Sequence, residues 1–355
     1  MRSFILSAIV SIGFPLASQC TINPRDEPTK PTKPARPISV PGATRATARF
    51  GPYKLEPNSN GGFKEGYGLN VESADNITMP CQGCTYTYFR GDMVYKNGTS
   101  ANTGNGAYMH SIRILSVPTE NFNIDSLYQM LIMVLSNLTK PLDLTSFGFK
   151  TLYTIANDRL PISFQNAGAY LPTNSSVVLM TQLQNLEKNV KEVYIDLDYD
   201  YLPGKPEGYV DIIPILQNPL FAGPINRTGL WEATSNPYQS NQDAQILMIY
   251  GTIHDGGIHT EIMINGKVVC DSVAYYQDMK IPGQYSYIKH DDGGNSHIMA
   301  FGKCLEPGQI KKGDFITTKF YFDFDKRPSI QMGNGKLDEL ISTSMTFLGV
   351  PMKKK

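Results

Sequence analysis

The chain has 355 residues, 41% hydrophobic and 18% charged, with 32 basic against 32 acidic side chains. That composition supplies full hydrophobic cores and excludes wholesale disorder. A net charge of zero argues against nucleic acid as the main partner, because such binding needs a concentrated basic face.

Residues 1–20 open with Arg2, continue through an apolar stretch from Phe4 to Leu16, and end near the small residues Ala17 and Ser18. This is the pattern of a secretory signal peptide. No later run reaches the ~18 apolar residues of a membrane-spanning helix. Residues 21–48 are dominated by Pro, Lys, Arg and Thr, a composition that stays extended and reads as a linker. Two folded units are expected after it, 49–203 and 204–350, since a domain takes about 100–200 residues. The Lys353-Lys354-Lys355 tail reads as a solvated end.

N-x-S/T triplets begin at Asn76, Asn97, Asn137, Asn174 and Asn226, as expected of a secreted glycoprotein with glycans on exposed turns. The cysteines after Cys20 are Cys81, Cys84, Cys270 and Cys304, an even number that favours disulfides in an oxidising compartment. Cys81 and Cys84 could also form half of a zinc or redox site, but no second C-x-x-C completes one. A local Cys81–Cys84 bridge is expected, with Cys270–Cys304 as the other pair.

Most of the remaining chain reads as short strands: 85–95, 177–183, 193–201, 246–254 and 258–264 are rich in β-branched, aromatic and alternating residues. Asn97-Gly98 and Asn265-Gly266 are hairpin signals. In 125–138, Leu127, Met130, Leu131, Val134, Leu135 and Leu138 recur at helical steps behind Asp125 as N-cap. The expected fold class is all-β, two tandem antiparallel β-sandwiches with one short helix.

Hydrolase and nucleotide signatures are absent: there is no G-x-S-x-G and no G-x-x-x-x-G-K-S/T. Asp196, Asp198 and Asp200 alternate along a strand and so share one face, which reads as a solvated sheet face rather than a cation site. Asp291 to Asn295 resembles a calcium loop but lacks the downstream bidentate Glu, so a turn is expected.

The most informative stretch runs Gly251-Thr252-Ile253-His254-Asp255-Gly256-Gly257, then Asn265-Gly266-Lys267 and Cys270-Asp271-Ser272-Val273-Ala274-Tyr275. It resembles secreted relatives of the copper type II, ascorbate-dependent (peptidylglycine hydroxylase-like) monooxygenases, in particular their stress-up-regulated nodulin-like branch, with G-H-L-H-D-G-G, N-G-K and C-x-S-x-A-x-Y. Other similarities follow in the same order along roughly residues 75 to 325. They comprise Pro80-Cys81-Gln82-Gly83-Cys84, the Val94 to Thr99 turn leading to Tyr108-Met109-His110-Ser111, Asn157-Asp158-Arg159, His297-Ile298 with Cys304, and Lys312-Gly313-Asp314.

The resemblance implies two jelly-roll sandwiches, each with a copper site facing a shared cleft. One site has three imidazoles; the other has two imidazoles and a thioether, donors that suit copper cycling between two oxidation states. This chain departs from that pattern. Thr252 replaces one imidazole of the H-x-H, Ser111 follows His110, and Gln182 is the best match for the third imidazole of the first domain. Phe301 stands at the thioether position, with Met299 two residues earlier as a candidate substitute.

The surviving candidates are His110, His254, His297 and Met299, spread over two domains, so the metal sites are expected to be vestigial and no cofactor is expected, copper being the one the donors allow. The leading expectation is a non-catalytic extracellular binding or surface protein, a pseudoenzyme whose partner is an extracellular protein or a cell-wall or matrix component. The alternative is a copper-dependent monooxygenase or oxidase with a reorganised single site, for which His254, His259 and His297 are candidates. A third reading, a hydrolase or lectin, would use Asp196, Asp198 and Asp200 or the 291–295 loop. His290 reads as solvated.

Overall fold

Alternating apolar and polar side chains require two-sided layers, and the computed structural model is built from strands almost throughout. It describes residues 36–57, 71–118, 150–155, 159–217, 227–276, 278–279, 298–329 and 342–352. The expected signal peptide and the helix expected over 125–138, with Asn137, Asn226, His290, the 291–295 loop, His297 and the lysine tail, lie outside the described residues.

The strands are β1 (Thr44–Leu55), β2 (Val71–Ile77), β3 (Cys84–Tyr95), β4 (Ala107–Pro118), β5 (Lys150–Ile155), β6 (Ile162–Ser163), β7 (Ala167–Leu171), β8 (Ser175–Asn185), β9 (Lys191–Pro203) and β10 (Val210–Gln217). They continue as β11 (Leu230–Thr234), β12 (Tyr238–Gln239), β13 (Ala244–Ile253), β14 (Gly257–Ile264), β15 (Lys267–Tyr276), β16 (Ile298–Phe301), β17 (Lys303–Ile310), β18 (Phe315–Asp323) and β19 (Ser342–Pro351). Among the described residues the one helix is a single 3₁₀ turn, Thr103–Asn105, with Asn102 as its cap.

Three sheets stack. A four-stranded sheet, β2-β8-β4-β5, packs on the β1-β9-β3-β7 part of a nine-stranded sheet. The same large sheet continues through β10-β19-β13-β17, whose other face packs on the six-stranded sheet around β11-β18-β14-β15-β16. The two parts of the large sheet join through one short parallel pairing, Val210 with Ala167 and Asp211 with Gly168. Gly168 is required there: a Cβ would stand 2.5 Å from Thr85 Cγ2 and 2.7 Å from the Tyr86 carbonyl oxygen. Asp211 locks the joint by accepting the Tyr170 amide at 2.9 Å and pairing with Lys150 of β5.

β13 and β19 therefore have two buried faces. Met248, Tyr250, Met345 and Phe347 join the large core that also holds Met109, Ile112 and Phe89. Ile246, Ile249 and Leu348 face the opposite core. Both asparagine-glycine hairpins are present. Asn265 (φ 50°) and Gly266 (φ 80°) join Ile264 to Lys267, and Gly98 takes φ 82° after Asn97. The Cys81–Cys84 and Cys270–Cys304 disulfides are both formed.

Two expectations are corrected. Residues 36–48, assigned to the linker, are folded: β1 begins at Thr44, and Arg36 and Ser39 pack against Asp200. The aspartate face is not solvated either. Asp196 pairs with Arg49 at 2.7 Å, and the fully buried Asp200 takes Arg36, Arg45 and the Ser39 amide. Arg36 and Ser39 come from the Pro-rich approach to β1, whose low apolar content made it look unstructured, and Arg45 and Arg49 from β1 itself.

Candidate metal centre

The site forms where the outer face of β4 meets the C-terminal end of β13. In β4 the register steps from Met109–Leu183 to Ser111–Gln182, so His110 is the extra residue of a β-bulge. A bulge re-aims the side chain it carries. Here Met109 and Ile112 stay in the core while His110 and Ser111 both turn outward.

On the facing strand, Tyr250 and Thr252 alternate on one face and His254 follows just past the strand end. Ile253 points into the opposite core. The chain then reverses through Gly256 (φ 99°), with the Gly257 amide donating to the His254 carbonyl at 3.0 Å. Tyr276 fastens the turn: its hydroxyl donates to the Gly257 carbonyl at 2.7 Å and accepts the Gly256 amide at 3.1 Å. Burial, with Asp255 adding to it, pushes the Tyr276 phenol well above its ordinary value, so it remains neutral.

A Cβ on Gly256 would lie 2.5 Å from the Phe324 ring in a conformation L side chains rarely adopt. Gly256→Ala is therefore expected to cost about 2 kcal/mol of unfolding free energy, and to displace His254. Denaturant unfolding and histidine NMR shifts would check both effects.

The result is convergence of His110 and His254, with ring centroids 5.7 Å apart and planes at 74°. The two imidazoles assigned to separate domains meet at one place. Tyr108 stands edge-on to His110 at 6.2 Å. Burial, reinforced by the Asp255 charge, pushes its phenol up and keeps it neutral. Asp255 also accepts the Ile298 amide at 3.0 Å, which brings the start of β16 beside the His254 turn. In β16 the register steps from Ala300 to Ile298, leaving Met299 as the bulged residue.

The other positions are occupied differently. Ser111 donates to the Gln182 amide oxygen at 2.6 Å, and Thr252 shares a 2.5 Å hydrogen bond with Thr343. These groups are engaged with one another. His259 lies away from the pair: it bonds Asp271 at 2.7 Å and stacks on Tyr321 at 4.5 Å, with β14's Thr260 turned to the interior instead. Glu261 accepts the Tyr321 hydroxyl, and that hydrogen bond, with burial, pushes the phenol up to about 12. Arg159 serves structure, clamping Asp92 at 2.7 Å, Ser100 at 2.8 Å and the Ala101 carbonyl.

The donor chemistry fits one copper ion. An imidazole nitrogen ligates a transition metal at about 2 Å, and adding roughly 1.1 Å from nitrogen to ring centre puts two rings on one ion no more than about 6 Å apart. The 5.7 Å separation satisfies that bound. Among the described residues no group of three or more His, Cys, Asp and Glu side chains is placed to hold a metal, so any third donor is of another kind or lies outside them. No helix among the described residues is long and apolar enough to cross a membrane.

No family model matches the chain. Its similarity to solved structures includes a peptide-N(4)-(N-acetyl-β-D-glucosaminyl)asparagine amidase, at TM-score 0.42 and 10% identity over 88% of this chain and 98% of that one. A distant similarity is found to two fungal proteins. One is a probable copper-dependent oxygenase M1 of Phoma sp., 22% identical over 84% of this chain and 71% of that protein. The other is a probable copper-dependent oxygenase clz3 of Cochliobolus lunatus, 23% identical over 72% of this chain and 77% of that protein.

Proposed function

We propose that this chain is a secreted copper-dependent oxygenase-type protein whose two halves share a single copper site held by His110 and His254. The carrying observation is the 5.7 Å approach of two imidazoles delivered by strands far apart in sequence. The distant likeness to proteins named copper-dependent oxygenases supports the choice of metal. Bound copper would supply one-electron chemistry toward molecular oxygen. The chain's own contribution is to fix both rings, His110 by its bulge and His254 by the Tyr276-fastened turn. Met299 on the adjoining bulge is the candidate third donor.

Secretion and glycosylation belong to the same proposal. The three described sequon asparagines, Asn76, Asn97 and Asn174, are all exposed, and both disulfides suit an oxidising compartment.

A second reading, a scaffold that has lost its metal chemistry and acts by binding an extracellular partner, is favoured by one observation. Ser111, Gln182 and Thr252 fill expected ligand positions and hydrogen-bond within the protein. Copper content after reconstitution separates the two. One copper per chain with nitrogen hyperfine structure in its spin-resonance spectrum, lost in both His110→Ala and His254→Ala, is expected for the shared site. Metal-free protein would establish the second reading.

A further inference from the structure

Gln184 of β8 is only 2% exposed, and among the described residues its buried amide nitrogen has no hydrogen-bond partner. Its neighbours in sequence point the other way. Leu183 joins the large core, and the Asn185 amide donates to the Leu55 and Asn189 carbonyls at 3.2 and 2.7 Å. Side chains alternate along a strand, so Gln184 shares a face with Gln182, whose amide oxygen accepts the Ser111 hydroxyl at 2.6 Å. That is the face to which the β4 bulge turns His110. In the β4–β8 register Gln184 lies opposite Tyr108 and Gln182 opposite Ser111, so His110 falls between their two partners. Gln182 and Gln184 stand about 6.6 Å apart at 3.3 Å per residue, and the Tyr108 and His110 ring centres are 6.2 Å apart. The unpaired amide is therefore one residue pair along the sheet from a candidate copper ligand.

A primary amide buried without a partner loses its hydration with nothing to replace it. Ser111 and Gln182, on the same face, avoid that loss by bonding each other. A buried polar group left unpaired requires a physical reason, and a bound molecule is one that also accounts for its place beside His110. We infer that Gln184 is the hydrogen-bond donor of a substrate subsite that holds the carbonyl oxygen of a small uncharged organic molecule. The side chains nearest it in register, Tyr108, Ser111 and Gln182, are uncharged polar groups, so they do not offset the desolvation of an ion. That selects a neutral ketone or ester over an acid or an amine. The spacing also limits size. With the amide and the imidazole about 7 Å apart, the reacting carbon lies only a few bonds from the anchored carbonyl. A site built around a buried donor rejects analogues that leave it unpaired. The role in substrate binding rests on the proposed oxygenase reading; the donor itself rests on its burial and register alone.

The test uses metal-free full-length protein, so its outcome is independent of copper. The probe is 2-octanone carrying carbon-13 at its carbonyl, titrated and followed by NMR. On wild type the carbonyl signal should move to higher frequency, as it does when that oxygen accepts a hydrogen bond. Gln184→Met should bind about tenfold more weakly, the scale of one lost hydrogen bond with its buried partner, and should abolish the shift. It should also melt no lower than wild type, because it replaces an unpaired amide by an apolar group of similar size; a purely structural amide would give the opposite, a lower melting temperature with binding unchanged. If Gln184→Met does not fold, Gln184→Asn, which keeps the amide but draws it back by one methylene, should show the same loss of affinity and shift. Absence of 2-octanone binding, or equal binding by wild type and the variant that folds, overturns the subsite. Gln184-dependent binding by protein that takes up no copper would sink the oxygenase reading and leave the subsite standing. Copper held at both histidines by protein that binds no 2-octanone would do the reverse.

Discussion

Asp200→Ala is expected to lower the unfolding free energy by about 3 kcal/mol, a loss in the range measured when one member of a buried ion pair is removed. The carboxylate is wholly buried on β9 and bonds Arg36 through both oxygens, at 2.6 and 2.9 Å, with Arg45 at 3.3 Å and the Ser39 amide at 2.7 Å. Arg36 is in turn stacked on Tyr88, its guanidinium carbon 3.3 Å from the ring centre. Removing the carboxylate strands two guanidinium groups and releases the 36–43 segment from the sheet. Both arginines keep about a fifth to a quarter of their side-chain surface exposed and can partly rehydrate, which places the cost near the lower end of that range.

The same contact makes a pH prediction. Burial alone would raise the Asp200 pKa, but hydrogen bonds from Arg36 and Ser39 outweigh it, and the folded-state value lies below the ordinary carboxylate value. A group that holds its proton less tightly when folded stabilises fully above its unfolded pKa, near 4, and loses that contribution as pH falls through the folded value. Acid unfolding of the wild type should therefore be steeper below about pH 4 than that of Asp200→Asn. An equal fall in unfolding free energy between pH 5 and pH 3 for wild type and Asp200→Asn, measured in urea, would show that the contact carries no such linkage.

The strands were legible because β-branched and aromatic residues alternate over them, and the asparagine-glycine pairs left little choice of hairpin. β3, β8, β9 and β14 each contain the stretch read as strand, and β13 covers 246–254 up to Ile253. The site was only half legible. His110 and His254 stood out as residue types, but their meeting depends on a one-residue bulge in β4 and on a two-residue parallel joint between β7 and β10. Neither leaves a periodic signal, since a bulge disturbs alternation at a single position. The aspartates were misread because their partners are about 150 residues away, and those of Asp200, namely Arg36, Ser39 and Arg45, sit in a segment whose composition suggests a linker.

The second large effect concerns the staple between sheets in the C-terminal half. Cys270 of β15 and Cys304 of β17 are separated by 34 residues, and closing a loop of that length removes about 4 kcal/mol of chain entropy from the unfolded state. The Cys270→Ala, Cys304→Ala variant is expected to lose most of that, while the Cys81–Cys84 bridge, separated by 3 residues, is worth only about 2 kcal/mol on the same basis. The location adds to the difference. Among the described residues β17 is the last strand of the nine-stranded sheet, bonded on one side only, and it carries the exposed Leu305. A one-sided edge strand is the first to fray, and the disulfide ties it to the opposing sheet. Hydrogen exchange on the double variant should then show faster exchange in β17 than in β19. Uniform protection across both strands would mean that backbone pairing to β13 alone suffices to hold the edge.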